Sequence, residues 1–361
     1  MVAHLCCSVD AGYFLKRLKE DFPNEKIIGF FYDPNIHPYS EFKLRSLDTK
    51  RICEKLGIEY VEGEYNYEEW LKKVKGLENE PEKGVRCSVC FDFSLEETAK
   101  FAQKLGDDKI TTSLLLSPMK SNEQLEKTGK AIKRKYKIDF LTPDYRKKGG
   151  TQAQQEYAKI NQLYRQDYCG CFYGIWRQKR DQEIIDELIS PFPFQILPSS
   201  IEEKLFIYKK RIKLEEKGIK YKIIKENFLN YRLLKANVQC KMKKKLKTVK
   251  NYVLFYSYLN RPQRVKIEFE KDGVAYTNRA QVIFVKLSKI NELLNKKYKN
   301  IKEIYQNPLS IEEEIILREK ITNTKYNLSP VIILEKFENN RYDIEIDAKI
   351  YPDTKENLIK F

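Results

Sequence analysis

Six of the eight cysteines in this 361-residue chain fall into three tight pairs, Cys6-Cys7, Cys87-x-x-Cys90 and Cys169-x-Cys171, all in the N-terminal half. Thiols this close in sequence make poor structural disulfides with one another, because bridging near neighbours strains the backbone. Thiolates at such spacings converge readily on one metal centre. The chemistry to expect is therefore metal binding or thiol redox. Soft sulfur donors select zinc or an iron–sulfur centre. Structural zinc usually takes two matched C-x-x-C knuckles, and here only one pair has that spacing. A cuboidal 4Fe-4S cluster accepts thiolates from separate loops, and Cys6, Cys7, Cys87 and Cys90 make such a set. The isolated Cys53 and Cys240 read as small buried side chains.

The third pair has only Gly170 between its thiols. It can close a strained, easily reduced disulfide, the property of a redox shuttle, or serve as further metal ligands. Arg165 nearby would favour a thiolate or pair a substrate phosphate. Asp10 stands three residues beyond Cys7, where it would reach a metal or a proton, or simply cap a helix beginning near Ala11. His4 reads as a core or supporting group on a strand, and His37, before Pro38, as a turn residue. No G-x-x-x-x-G-K-[ST] phosphate loop occurs, and Gly149-Gly150 after Arg146 is too short to stand for one.

These groups need a frame, and the first 180 residues supply a recognisable one. Short β-like runs (Val2 to Leu5, Lys26 to Tyr32, Ile58 to Val61, Lys109 to Leu116, Asp139 to Leu141) alternate with helical stretches (Tyr13 to Phe22, Ser40 to Leu56, Tyr67 to Val74, Glu96 to Leu105, Asn122 to Tyr136, Gln152 to Leu163). Strands alternating with crossover helices predict an α/β fold with a parallel sheet between helices, and ligands gather beyond the carboxyl ends of such strands. Cys6-Cys7 directly follows the first strand, while Cys87 and Cys90 are expected in a loop before the helix near Ser94.

Past residues 190–200 the pattern changes to an α+β tail. A charged helix is expected over Ile201 to Lys217, with extended segments at Tyr221 to Ile224, Phe228 to Leu234, Tyr252 to Tyr258, Val265 to Phe269 and Gln281 to Leu287. Helices follow near Lys289 to Tyr298 and Ile311 to Ile321, then alternation around Tyr342 to Ile350. The division expected is 1–195 for the catalytic domain, 196–250 for a basic closing region and 251–361 for a C-terminal extension. Lysine and arginine exceed aspartate and glutamate by 16. The excess lies mostly in the second half and suits a polyanion such as RNA, or else reflects a lysine-rich composition. The apolar runs are too short to span a bilayer, which predicts a soluble chain in a reducing cytoplasm, where paired cysteines ligate metals or do redox work.

Five motifs in order, Ala3 to Asp10 (AHLCCSVD), Arg86 to Cys90 (RCSVC), Thr112 to Pro118 (TSLLLSP), Asp139 to Asp144 (DFLTPD) and Tyr164 to Cys171 (YRQDYCGC), resemble the QueH family of epoxyqueuosine reductases. Leu197 to Ile201 and Phe228 to Arg232 resemble its closing region, so the likeness runs over about residues 2–240. Val9 stands where the family usually has proline. The resemblance implies a Rossmann-like sheet of the HUP type and removal of the epoxide oxygen of epoxyqueuosine in a tRNA anticodon loop, with electrons from a donor of unknown identity. It implies a 4Fe-4S cluster on Cys6, Cys7, Cys87 and Cys90 and a redox disulfide between Cys169 and Cys171. It also implies an additional iron, for which Asp10 and a cysteine of the first pair are the expected ligands. Arg165, Tyr168 and Arg146 are the expected substrate contacts. The rival readings are an ATP-dependent tRNA thiolation enzyme, disfavoured by the missing phosphate loop, and a zinc-stabilised RNA-binding module.

Overall fold

A computed structural model describes residues 1–118, 120–166, 168–179, 192, 194–242, 245–279, 281–337 and 340–361. Parts of the expected domain boundary at 190–200, and Lys243 and Lys244 of the expected basic closing region, lie outside them. So does Asp167 of the third cysteine motif. The chain forms two compact units, one of residues 1–185, 204–223 and 358–361, the other of residues 186–203 and 224–357.

The first unit is built on five parallel strands, β1 (Val2–Leu5), β2 (Ile28–Phe31), β3 (Glu59–Glu62), β4 (Lys109–Thr112) and β5 (Asp139–Phe140), in the order β3-β2-β1-β4-β5. Val2 pairs with Ile28 on one side and Ile110 on the other. Every residue of β1 and β2 is buried, as a sheet covered on both faces requires. Its helices are α1 (Ser8–Asp21), α2 (Tyr39–Lys55), α3 (Tyr67–Lys73), α4 (Val85–Leu105), α5 (Asn122–Tyr136), α6 (Gly150–Ile160) and α7 (Phe172–Lys179). Part of α8 (Ile201–Glu216) joins them, with Arg211 buried against Asp48 at 3.3 Å. The strand order reverses between β1 and β4, and the crevice beyond their carboxyl ends is where such sheets bind ligands.

Two departures from the expected elements matter for the site. Helix α4 begins eleven residues earlier than its apolar spacing suggested, so Cys87 and Cys90 lie in its first turns rather than in a loop. Gly84 is its N-cap, and the three-residue spacing then sets both thiols on one helix face. Helix α7, which the sequence reading left unassigned, starts directly after Cys171.

The second unit holds a mixed sheet in the order β7-β6-β13-β9-β10-β11-β12-β8. These strands are β6 (Tyr221–Met242), β7 (Lys245–Thr248), β8 (Tyr252–Val253), β9 (Gln263–Lys271), β10 (Val274–Thr277), β11 (Ile283–Lys286), β12 (Val331–Leu334) and β13 (Arg341–Lys360). The two extended stretches expected before residue 240 are one continuous strand, and the Tyr252 to Tyr258 strand is cut to two residues. Helices α9 (Leu287–Leu294), α10 (Ile301–Gln306) and α11 (Ile311–Thr322) share a core with β11 and β12. Among the described residues, no helix is long and apolar enough to cross a membrane.

Candidate metal and redox centre

All three cysteine pairs open into one cavity of about 320 Å³ in the first unit. Each pair reaches it from a helix N-terminus. Cys7 is the N-cap of α1, Cys87 and Cys90 lie in the first turns of α4, and Cys171 immediately precedes α7. The partial positive charge of a helix N-terminus favours thiolate over thiol, and burial opposes it, pushing Cys87 and Cys90 up. The backbone N–H of Lys83 also donates to Cys87 Sγ at 3.3 Å.

Cys6, Cys7 and Asp10 form the tightest group, with one ligand atom of each within 4.8 Å of the others. Cys6 Sγ stands 3.9 Å from Cys7 Sγ and 3.6 Å from Asp10 Oδ2. Two thiolates bound at about 2.3 Å to one tetrahedral ion would sit about 3.8 Å apart, so this trio is spaced for a single ion. Asp10 lies in the first turn of α1 and makes no cap hydrogen bond, because Cys7 takes the cap position. The N-cap alternative for Asp10 is thus corrected. Gln154 of α6 donates to Asp10 Oδ1 at 2.5 Å and aims the other carboxylate oxygen at Cys6. Burial pushes Asp10 up, against the hydrogen bonds from Gln154 and Cys6. The Cys6 thiol is pushed up by its hydrogen bond to Cys7 and by burial.

The third pair is held from behind. Arg45 of α2 is fully enclosed and donates to the carbonyls of Tyr168 and Cys169, each at 3.0 Å. Its Nε bonds Glu41 at 2.6 Å. Gly170 sits at φ +110°, and a Cβ there would come within 2.8 Å of Ile36 and 3.2 Å of Arg45, so only glycine fits between these two thiols. A hydrogen bond from Cys171 and then the charge of Lys120 hold Cys169 below the ordinary thiol range, against burial. Cys171 is correspondingly held as a thiol by Cys169 and by burial. Burial opposes the charge on Lys120, and Cys169, Cys87 and Glu82 more than offset it, keeping the ammonium above the ordinary lysine range.

A profile of the family described as "Epoxyqueuosine reductase QueH" matches residues 1–176. A relative from Helicobacter pylori named "Epoxyqueuosine reductase QueH" is 38% identical over 360 residues, 96% of this chain and 97% of that one.

The chain belongs to the QueH family of epoxyqueuosine reductases.

A second QueH relative, from Histophilus somni, is 34% identical over 192 residues, 52% of this chain and 78% of its own. Among solved structures, a U34-tRNA thiolase NcsA from Methanococcus maripaludis with its 4Fe-4S cluster is similar at 15% identity. The likeness covers 59% of this chain and 72% of that one, with a TM-score of 0.34.

Of the residues singled out by the QueH resemblance, Cys6, Cys7, Asp10, Cys87, Cys90, Tyr168, Cys169 and Cys171 all line the cavity. Arg165 does not; it is exposed and donates to the carbonyl of Gln155 at 2.9 Å. Arg146 is likewise absent from the lining. It grips the carbonyls of Leu114, Ser117 and Lys120 and so fixes the segment that brings Ser117 and Lys120 to the cavity. His4 is fully buried, bonded to Thr112 Oγ1 at 2.8 Å and the Tyr32 carbonyl at 3.0 Å. Burial lowers its pKa to about 4, so it is a neutral core group. Sequence reasoning missed Lys120, Arg45 and Asp33 in the lining. Lys120 stands two residues past the Thr112 to Pro118 motif, and that proximity was the one available signal.

Proposed function

We propose that this chain reduces the epoxide of epoxyqueuosine in the wobble position of a tRNA anticodon to give queuosine, the last step of queuosine biosynthesis. Family membership over nearly the whole chain supports the reading. The observation that carries it at the level of chemistry is the convergence of all six paired cysteines on one cavity.

The reaction balances on the third cysteine pair. An epoxide and two thiols give an alkene, water and a disulfide: both C–O bonds break, the oxygen takes two protons, and the S–S bond carries the oxidation. Cys169, held as thiolate, and Cys171, held as thiol, would form that pair, and Lys120, which lines the same cavity, would deliver a proton to the departing oxygen. Tyr168 and Arg45 wall the cavity beside them. An external reductant must reopen the disulfide.

The donor set fits an iron–sulfur group, because four soft thiol ligands meet in the lining with no competing imidazole among them. Cys6, Cys7, Cys87 and Cys90 would hold a 4Fe-4S cluster, which supplies low-potential single-electron transfer when bound. An additional iron beside it would take Asp10 and one cysteine of the first pair as ligands, and its contribution would be Lewis acidity. Asp10 in either case supplies a carboxylate oriented by Gln154.

The deciding experiment is conversion of epoxyqueuosine to queuosine in tRNA, read by nucleoside mass spectrometry, with anaerobically reconstituted protein and a chemical reductant. Conversion is expected. No conversion by protein with its full iron and sulfide content would overturn the reading.

A further inference from the structure

The basic charge of this chain is concentrated in one part of the second unit. Residues 224–300 hold 19 lysines and arginines against 5 acidic residues, a net of +14, whereas residues 301–357 hold 8 against 12, a net of −4. A genome-wide lysine bias would not segregate charge this way.

The sheet gathers three of those arginines into one groove. Along β6, β9 and β13 the residues Val238, Cys240, Val265, Tyr342 and Ile344 are buried in the core. Period-two alternation then puts Asn237, Gln239, Arg264 and Asp343 on the outer face. There they line an open groove of about 560 Å³ together with Arg261, Gln263, Arg279 and Glu345, the last held by Lys235 at 2.9 Å. Arg264 is 70% exposed and reaches Asp343 only at 3.9 Å. Asp343 is already held by Arg341 at 3.1 and 3.2 Å. Among the described residues, the guanidiniums of Arg261 and Arg279 meet no carboxylate. Three guanidinium forks beside three amide side chains, with the two groove carboxylates paired to Arg341 and Lys235, make a donor-rich surface matched to phosphate oxygens and ribose hydroxyls.

We propose that this groove is a binding site for the RNA phosphate backbone, with Arg261, Arg264 and Arg279 each taking a phosphate of the tRNA on which the first unit acts. The inference rests on the tRNA substrate of the proposed function. It adds a role for a unit that lies outside the segment matched by the family profile, residues 1–176.

The test is fluorescence anisotropy of the full chain with an unmodified tRNA transcript over a salt series. The variants are Arg261→Gln/Arg264→Gln/Arg279→Gln and a charge-matched control, Lys302→Gln/Lys325→Gln/Lys336→Gln, from the acidic part of the same unit. All six side chains are exposed, so folding should survive. Losing three phosphate contacts should flatten the slope of log K against log salt by about 2 and weaken binding about tenfold or more at moderate salt. The control should change affinity less than about twofold. Equal affinity and slope for wild type and the arginine variant would overturn the inference, as would an equal loss in the control or no RNA binding by the wild type. Epoxyqueuosine conversion on the same samples separates the two readings. Conversion with unchanged RNA affinity sinks the groove alone, while RNA affinity that depends on the arginines without conversion sinks the reductase alone.

Discussion

The guanidinium of Arg45 donates to the carbonyl oxygen of Cys169 at 3.0 Å across 124 residues of sequence. The same side chain is buried with Glu41, whose own carboxylate also accepts from Tyr164 at 2.9 Å. One helix, α2, thereby fixes the backbone on which Cys169 and Cys171 stand.

Arg45→Met should therefore cost stability and function together. It leaves Glu41 buried without its cation, which typically costs about 3–5 kcal/mol. Arg45→Lys keeps a charge near Glu41 and cannot reach both carbonyls with the geometry of a fork. Urea unfolding should show the larger loss for methionine. Closure of the Cys169–Cys171 disulfide, followed by thiol counting during oxidation, should be impaired in both variants. Normal closure in the lysine variant would dismiss the positioning role.

Lys120→Met should raise the pH at which Cys169 becomes a thiolate, since the ammonium is the leading charge that favours the anion. Below that midpoint, each unit of upward shift removes about nine-tenths of the thiolate. The check is the pH dependence of iodoacetamide capture at Cys169, mapped by peptide mass spectrometry. An unmoved midpoint would mean that Cys171 alone sets it.

The two kinds of cysteine should separate cleanly. Cys87→Ala or Cys90→Ala should lose iron, sulfide and activity in parallel. Cys171→Ser should keep its iron and sulfide and yet fail to turn over, because the dithiol pair is broken. Metal analysis beside the conversion assay decides; an active Cys171→Ser protein would remove the third pair from the reaction.

In the second unit, burial raises Glu314 from 4.5 to about 7, opposed by hydrogen bonds from Tyr252 and the Phe255 N–H. The native chain therefore binds more protons than the unfolded one between these values. The stability this contributes is full below about pH 4.5 and is lost as pH rises through about 7. Hydrogen-exchange protection of α11 and β8 should fall over that range in the full chain. Glu314→Gln, which can still accept from Phe255, should flatten the fall. The same slope in the variant would assign it to another group.

Much of this was readable from the chain itself, for a physical reason. The strand and helix periodicities of the first 180 residues are local properties, and β1, placed at Val2 to Leu5, and α5, placed at Asn122 to Tyr136, fall where expected. The ligand types were equally legible, because few side chains besides cysteine supply soft sulfur in tight pairs. Family membership followed from the same motifs.

Convergence was not legible. That Cys6, Cys87 and Cys169 share a cavity depends on a strand order of 3-2-1-4-5 and on the loop after Tyr164 returning to α2, contacts between residues far apart in sequence. Sequence spacing offered Arg165 as the charged neighbour of the redox thiols, since it stands four residues from Cys169. The fold turns Arg165 to solvent and brings in Arg45 and Lys120 instead. Adjacency along the chain determines which chemistry is available, and packing in three dimensions decides which charge faces it.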